Sequence, residues 1–79
     1  MNIIAYTKRG CGWCREVVSY LNENNIAFEE REVTGNKAYF DEMVAKSGQS
    51  KAPTLDIDGH ILADSDKAQV EAYLKSKQA

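Results

Sequence analysis

Scarcity is the first feature of this 79-residue chain: it has two cysteines, one proline, one tryptophan and one histidine. Two cysteines and His60 fall short of the four ligands of a structural zinc site, so zinc held within one chain would need unusual carboxylate ligands. No apolar run approaches the ~20 residues of a membrane span, and no membrane association is expected. Basic residues are not in excess, because the net charge is −2, so there is no electrostatic footprint for nucleic acid. The start, Met1-Asn2-Ile3-Ile4, has neither the basic region nor the long apolar segment of a signal peptide, and a cytoplasmic location is expected. A chain of this length is expected to make one domain, residues 1–79, with one modest core.

Both cysteines lie in one stretch, Cys11-Gly12-Trp13-Cys14. The apolar run Ile3-Ile4-Ala5-Tyr6 precedes it and a helical pattern follows. A C-x-x-C at a strand-to-helix junction puts one sulfur at the open N-terminus of the helix and the other one turn inside. Free backbone N–H groups and the helix dipole stabilise an anion there, which favours a thiolate. A structural staple over so short a loop would remove little unfolded-state entropy. In a reducing compartment a disulfide is more often catalytic than structural, and a thiol–disulfide redox site is the reading of the pair.

Residues 2–7 read as a strand covered on both faces, and Lys8-Arg9-Gly10 as a loop. A helix is expected over residues 12–24, with Cys14, Val17, Val18 and Leu21 on one face and Glu16, Ser19, Asn22 and Glu23 on the other. Residues 26–33 read as a second strand, with Ile26, Phe28 and Val33 inward and the run Glu29-Glu30-Arg31-Glu32 as a solvated edge. Asn36 is placed to cap a second helix over residues 37–46, whose apolar stripe is Tyr39, Phe40, Met43 and Val44. Leu55 and Ile57 alternate with Asp56 and Asp58, and Asp58-Gly59 signals a hairpin returning over residues 60–63. His60 reads as a surface residue of that hairpin, and Tyr6 as strand core. Asp64 or Ser65 is expected to cap a third helix over residues 66–77, with Ala68, Val70, Tyr73 and Leu74 available to the core. The order is β-α-β-α-β-β-α. The expected architecture is an α/β, four-stranded mixed sheet flanked by three helices.

With C-x-x-C after the first strand and the lone proline before the third, this layout resembles the thioredoxin superfamily, and more closely a small dithiol glutaredoxin. Tyr6-Thr7-Lys8 before the cysteines, Ala52-Pro53, Ile57-Asp58-Gly59 and Ala63-Asp64-Ser65-Asp66 carry the resemblance across the whole chain. It implies a thioredoxin-like fold and a glutathione-dependent thiol–disulfide oxidoreductase that reduces protein disulfides or glutathione mixed disulfides. Cys11 is then the nucleophile and Cys14 the resolving thiol. Ala52-Pro53 takes the place of the family's cis-proline step, which would present the Ala52 backbone to glutathione or an extended peptide. Lys8 and Gln49 are implied contacts of one glutathione carboxylate. Ser65 at the start of the last helix, and Asp66, would take the γ-glutamyl end. Trp13 would serve as an apolar platform beside the nucleophile.

Acidifying Cys11 has a definite physical use. A free thiol, with a pKa near ~8.5, is only ~3% thiolate at pH 7. A fall to ~5 raises that fraction ~30-fold, yet intrinsic nucleophilicity falls by roughly 40-fold. Attack is almost unchanged, and the gain is a better leaving group for release from a mixed disulfide.

Two departures from the family pattern bear on the partner. The family's glycine pair is Ala63-Asp64 here, and its Thr-Val-Pro is Lys51-Ala52-Pro53. They keep open a glutaredoxin-like electron donor recharged by thioredoxin reductase and serving an enzyme such as ribonucleotide reductase. An alternative of another class is a glutathione-ligated [2Fe–2S] scaffold or carrier, for which the second cysteine is unfavourable. The expectation is a monomer with no tightly bound cofactor and no metal site, and with glutathione as co-substrate.

Overall fold

Strand β1 (Ile3–Thr7) lies inside a four-stranded sheet of order β2-β1-β3-β4. In this computed structural model residues 1–78 are described, the side chain of Gln78 excepted. β1 runs parallel to β2 (Glu29–Glu32) and antiparallel to β3 (Thr54–Ile57), which pairs in turn with β4 (His60–Leu62). The sheet is therefore mixed. Helices α1 (Gly12–Glu23), α2 (Lys37–Ser47) and α3 (Lys67–Gln78) complete the expected order.

The period-2 alternation of β1 divides the two layers. Ile3 and Ala5 meet Val17, Tyr20 and Leu21 of α1 and Val70 and Leu74 of α3, together with Leu55 and Ile57. Tyr6 faces the other way, against Val33 and Met43, with Ile4, Tyr39 and Phe40 half-buried around them. Of the stripe expected on α2, only Met43 is fully buried, and Ala68 of α3 is exposed.

The helix ends follow local chemistry. Asn25 takes a left-handed φ of 55°, which lets the Ile26 N–H reach Leu21 O at 2.9 Å and closes α1. Asn36 caps α2, its Oδ1 accepting from Tyr39 N at 3.0 Å, and Gly48 ends that helix at φ 72°. α3 is capped by Asp66 and not by Asp64 or Ser65. Asp66 Oδ1 accepts from Gln69 N at 2.9 Å, while Gln69 Oε1 accepts from Asp66 N at 3.2 Å. This reciprocal box satisfies a free helical N–H and delays the helix start to Lys67.

Two strand expectations are also corrected. β2 covers only Glu29–Glu32, because Ile26 and Phe28 pack on the core before the ladder begins. Its charges are paired and not merely solvated. Arg31 bonds Glu29 at 2.6 Å and also the carboxylate of Glu42, while Glu30 accepts from Thr7 Oγ1 at 2.7 Å and from Arg15 at 2.6 Å. The hairpin forms at Asp58-Gly59, both at positive φ, with Ile57 opposite His60. His60 is exposed and stacks on Tyr73, their ring centroids 4.4 Å apart.

Candidate active site

Cys11 is the N-cap of α1. Its backbone is extended (φ −93°, ψ 110°), and its Sγ accepts the N–H of Cys14 at 3.1 Å. A sulfur has taken the place that a serine or aspartate oxygen usually holds at a helix start. The amide hydrogen bond and the positive end of the helix both favour negative charge on this sulfur. The two cysteines are paired with each other, their Cα atoms 5.2 Å apart. They are not equivalent: Cys14 is 0% exposed, sealed with Val17 and Leu21 in the helix's buried face, whereas Cys11 is partly open.

Beside the pair lies a groove of about 150 Å³ lined by Trp13, Ala52, Asp64, Ser65 and Asp66. Three segments far apart in sequence meet here, and four of the five residues are expected contacts. Trp13 is 61% exposed. The Ala52-Pro53 peptide is cis, and among the described residues neither the N–H nor the C=O of Ala52 enters a hydrogen bond. Pro53 is buried, and its carbonyl receives both the N–H of Ser65 at 2.8 Å and the Ser65 hydroxyl at 3.1 Å. Ser65 thus ties the proline loop to the start of α3, with its side chain already engaged. Asp64 sits at φ 48°, a left-handed turn that glycine would adopt without strain and that aspartate tolerates.

Lys8 and Gln49 are not brought to this groove. Lys8 Nζ donates to Ser50 O at 2.7 Å and borders a separate, open groove with Val33, Thr34, Gly35, Asn36, Lys37 and Phe40. The Gln49 amide closes its own loop, bonding Lys51 N and O and the hydroxyls of Ser47 and Thr54. Among the described residues no three of His, Cys, Asp and Glu gather as a metal-ligand set.

The glutaredoxin family model matches residues 3–62, strand β1 through β4. The chain belongs to the glutaredoxin family. A glutaredoxin-like 8.6 kDa protein of Clostridium pasteurianum is 31% identical over 70 residues, covering 89% of this chain and 93% of that one. Glutaredoxin 3 of Escherichia coli is 31% identical over 65 residues, covering 82% and 78%. A crystal structure of the thioredoxin-like protein BC3987 superposes with a TM-score of 0.81 at 28% identity, covering 89% of this chain and 96% of that one. With its Cys11–Cys14 pair, this glutaredoxin is a thiol–disulfide oxidoreductase.

Opposite the redox helix, an ionic cluster holds α2 to the sheet. The buried Tyr6 hydroxyl donates to the Glu42 carboxylate and accepts from Lys46 Nζ at 2.8 Å, and Lys46 also bonds Asp56 at 2.8 Å. Burial, reinforced by Glu42, pushes the Tyr6 phenol above its ordinary value. The hydrogen bonds from Tyr6 and then Arg31 hold Glu42 below the usual carboxylate range, and Lys46 does the same for Asp56. Sequence reasoning missed this cluster because its members meet only when α2 packs on the assembled sheet. The one local hint is Glu42 and Lys46 at i, i+4 on one helix, 3.8 Å apart.

Proposed function

We propose that this glutaredoxin reduces protein disulfides and glutathione mixed disulfides, as a cytoplasmic monomer re-reduced by glutathione. The observation that carries the reading is the contrast between a partly exposed Cys11, its sulfur hydrogen-bonded at a helix start, and a fully buried Cys14. The Cys11 thiolate attacks one sulfur of the substrate disulfide. A mixed disulfide forms, and the other substrate sulfur leaves as a thiolate that takes a proton from water. Cys14 gives up its proton and attacks the Cys11 sulfur, releasing the second substrate thiol and leaving Cys11–Cys14 oxidised. Two electrons have passed from the dithiol to the substrate. Two glutathione thiols then restore the pair through a mixed disulfide on Cys11 and become glutathione disulfide.

The free backbone of Ala52 fits an extended peptide or glutathione as a one-residue strand addition. The N–H groups opening α3 fit a carboxylate, and Asp66 an amino group. One observation favours a second route for re-reduction: Gln49 and Ser65 have their polar ends engaged within the protein, and Asp64 adds a negative charge to the groove. That route is a thioredoxin reductase acting on the Cys11–Cys14 disulfide.

The test is steady-state turnover of a glutathionylated peptide, with glutathione and glutathione reductase as the only electron supply. Wild type and Cys14→Ser are expected to turn over, and Cys11→Ser to be inactive. No turnover by wild type, with its disulfide reduced by a thioredoxin reductase, would transfer the protein to the second route.

A further inference from the structure

We propose that Asp64, with Asp66 and Trp13, makes the groove select disulfides whose cysteine is flanked by an arginine, in preference to the glutathionyl group. The inference rests on the reading that this groove receives the partner of Cys11.

The Asp64 carboxylate is unusual for this chain. Among the described residues it enters no ion pair or hydrogen bond, a state it shares only with Glu16 and Glu23 on the outer face of α1. It has no structural task at the helix, because Asp66 is the cap. It is exposed, and it stands on the wall of the groove beside the redox helix. Asp66, on the same wall, already places one carboxylate oxygen on the free N–H of Gln69, so part of the helix's attraction for an anion is spent internally. Among the described residues no cation lines the groove with the two acids. Lys67 lines a different groove with Arg15, Glu16 and Glu23, and Lys51 does not line this one.

An incoming γ-glutamyl group brings an α-carboxylate next to its ammonium. That carboxylate would enter a field already made negative by Asp64 and Asp66. A guanidinium meets the opposite situation: its planar fork satisfies carboxylates and its face stacks on an indole. Trp13 supplies that indole, 61% exposed on the same groove. An arginine one or two positions from the substrate cysteine would reach all three while the neighbouring peptide backbone pairs with Ala52.

The experiment mixes reduced wild type and Asp64→Asn with three disulfides: glutathione disulfide, and two disulfide-linked peptides differing only by Arg or Glu beside the cysteine. Second-order rate constants are read by acid quench and thiol labelling. Asparagine keeps the left-handed backbone of position 64, so the fold is retained. Wild type is expected to favour the Arg peptide over the Glu peptide by roughly 3–10-fold, the scale of a few surface charge contacts. In Asp64→Asn that ratio should fall toward unity, and the rate with glutathione disulfide should rise by roughly 2–5-fold. A ratio unchanged by Asp64→Asn, or a wild type indifferent to the flanking charge, overturns the proposal. Reduced wild type that cleaves none of the three disulfides overturns the redox reading itself, a failure seen in the absolute rates and not in their ratio.

Discussion

On the sheet face covered by α1 and α3, Ile3, Ala5, Leu55 and Ile57 meet Val17, Leu21, Val70 and Leu74, none more than 2% exposed. On the face covered by α2, only Tyr6, Val33 and Met43 are buried together, and the contact is completed by Glu29, Arg31, Glu42, Lys46 and Asp56. Apolar burial is not weakened by ionic screening and responds little to pH, whereas charge contacts respond to both. The redox helix rests on the first face. The fold therefore holds its cysteines on the layer that changing conditions disturb least, and leaves electrostatic attachment to the helix that carries no cysteine.

The contrast is broken most strongly by removing apolar volume. Leu21→Ala, at 0% exposure on α1, is expected to cost about 2–5 kcal/mol of unfolding free energy in urea. Phe40→Ala, on the half-buried side of α2, should cost clearly less. Equal losses would mean that the two faces are packed alike.

A smaller effect belongs to Tyr6→Phe, which keeps the ring and removes the hydroxyl between Glu42 and Lys46. Urea unfolding should register about 1–2 kcal/mol, since both charged neighbours lose a buried partner yet keep another. A neutral substitution would show that the ring alone holds α2.

Acid sharpens the comparison at the next level down. Glu42 and Asp56 are held below their ordinary values of 4.5 and 3.8, Glu42 first by Tyr6 and Asp56 first by Lys46. Folded-state values below the unfolded ones stabilise the native state fully above about 4.5, and that contribution is lost as pH falls through the folded values. Unfolding free energy should be level from neutrality to about pH 5 and decline below it. Glu42→Gln should make the decline shallower. An identical slope in this variant would place the acid sensitivity elsewhere.

Much of this was legible in the sequence where the signal is local. The β1 run, the helical spacing of Cys14, Val17, Val18 and Leu21, and the Asp58-Gly59 turn each state their structure within a few residues. The α3 start was misplaced although its signal was present: Asp66 and Gln69 form a capping box three residues apart, in competition with two other good caps just upstream. Tyr20 is missing from the expected core although it stands three positions after Val17 and next to Leu21, at helical spacing; at 9% exposure it completes that stripe. The ionic cluster was illegible for a different reason. Tyr6 and Glu42 are 36 positions apart and meet only once β1, β2 and α2 are assembled. At the candidate site, Trp13, Ala52, Ser65 and Asp66 line one groove, while Lys8 and Gln49 make loop hydrogen bonds that residue type alone does not reveal.

The central claim is that α1 makes two chemically different thiols from one motif, an anion-stabilised Cys11 and a sealed Cys14. Its most direct measurement is alkylation of the fully reduced protein by iodoacetamide at about pH 6, where a free thiol with a pKa near ~8.5 is almost wholly protonated. Peptide mass mapping then assigns the modified sulfur. The account predicts rapid modification of Cys11 with Cys14 untouched until the protein is unfolded. Equal and slow labelling of both cysteines in the folded protein would contradict it.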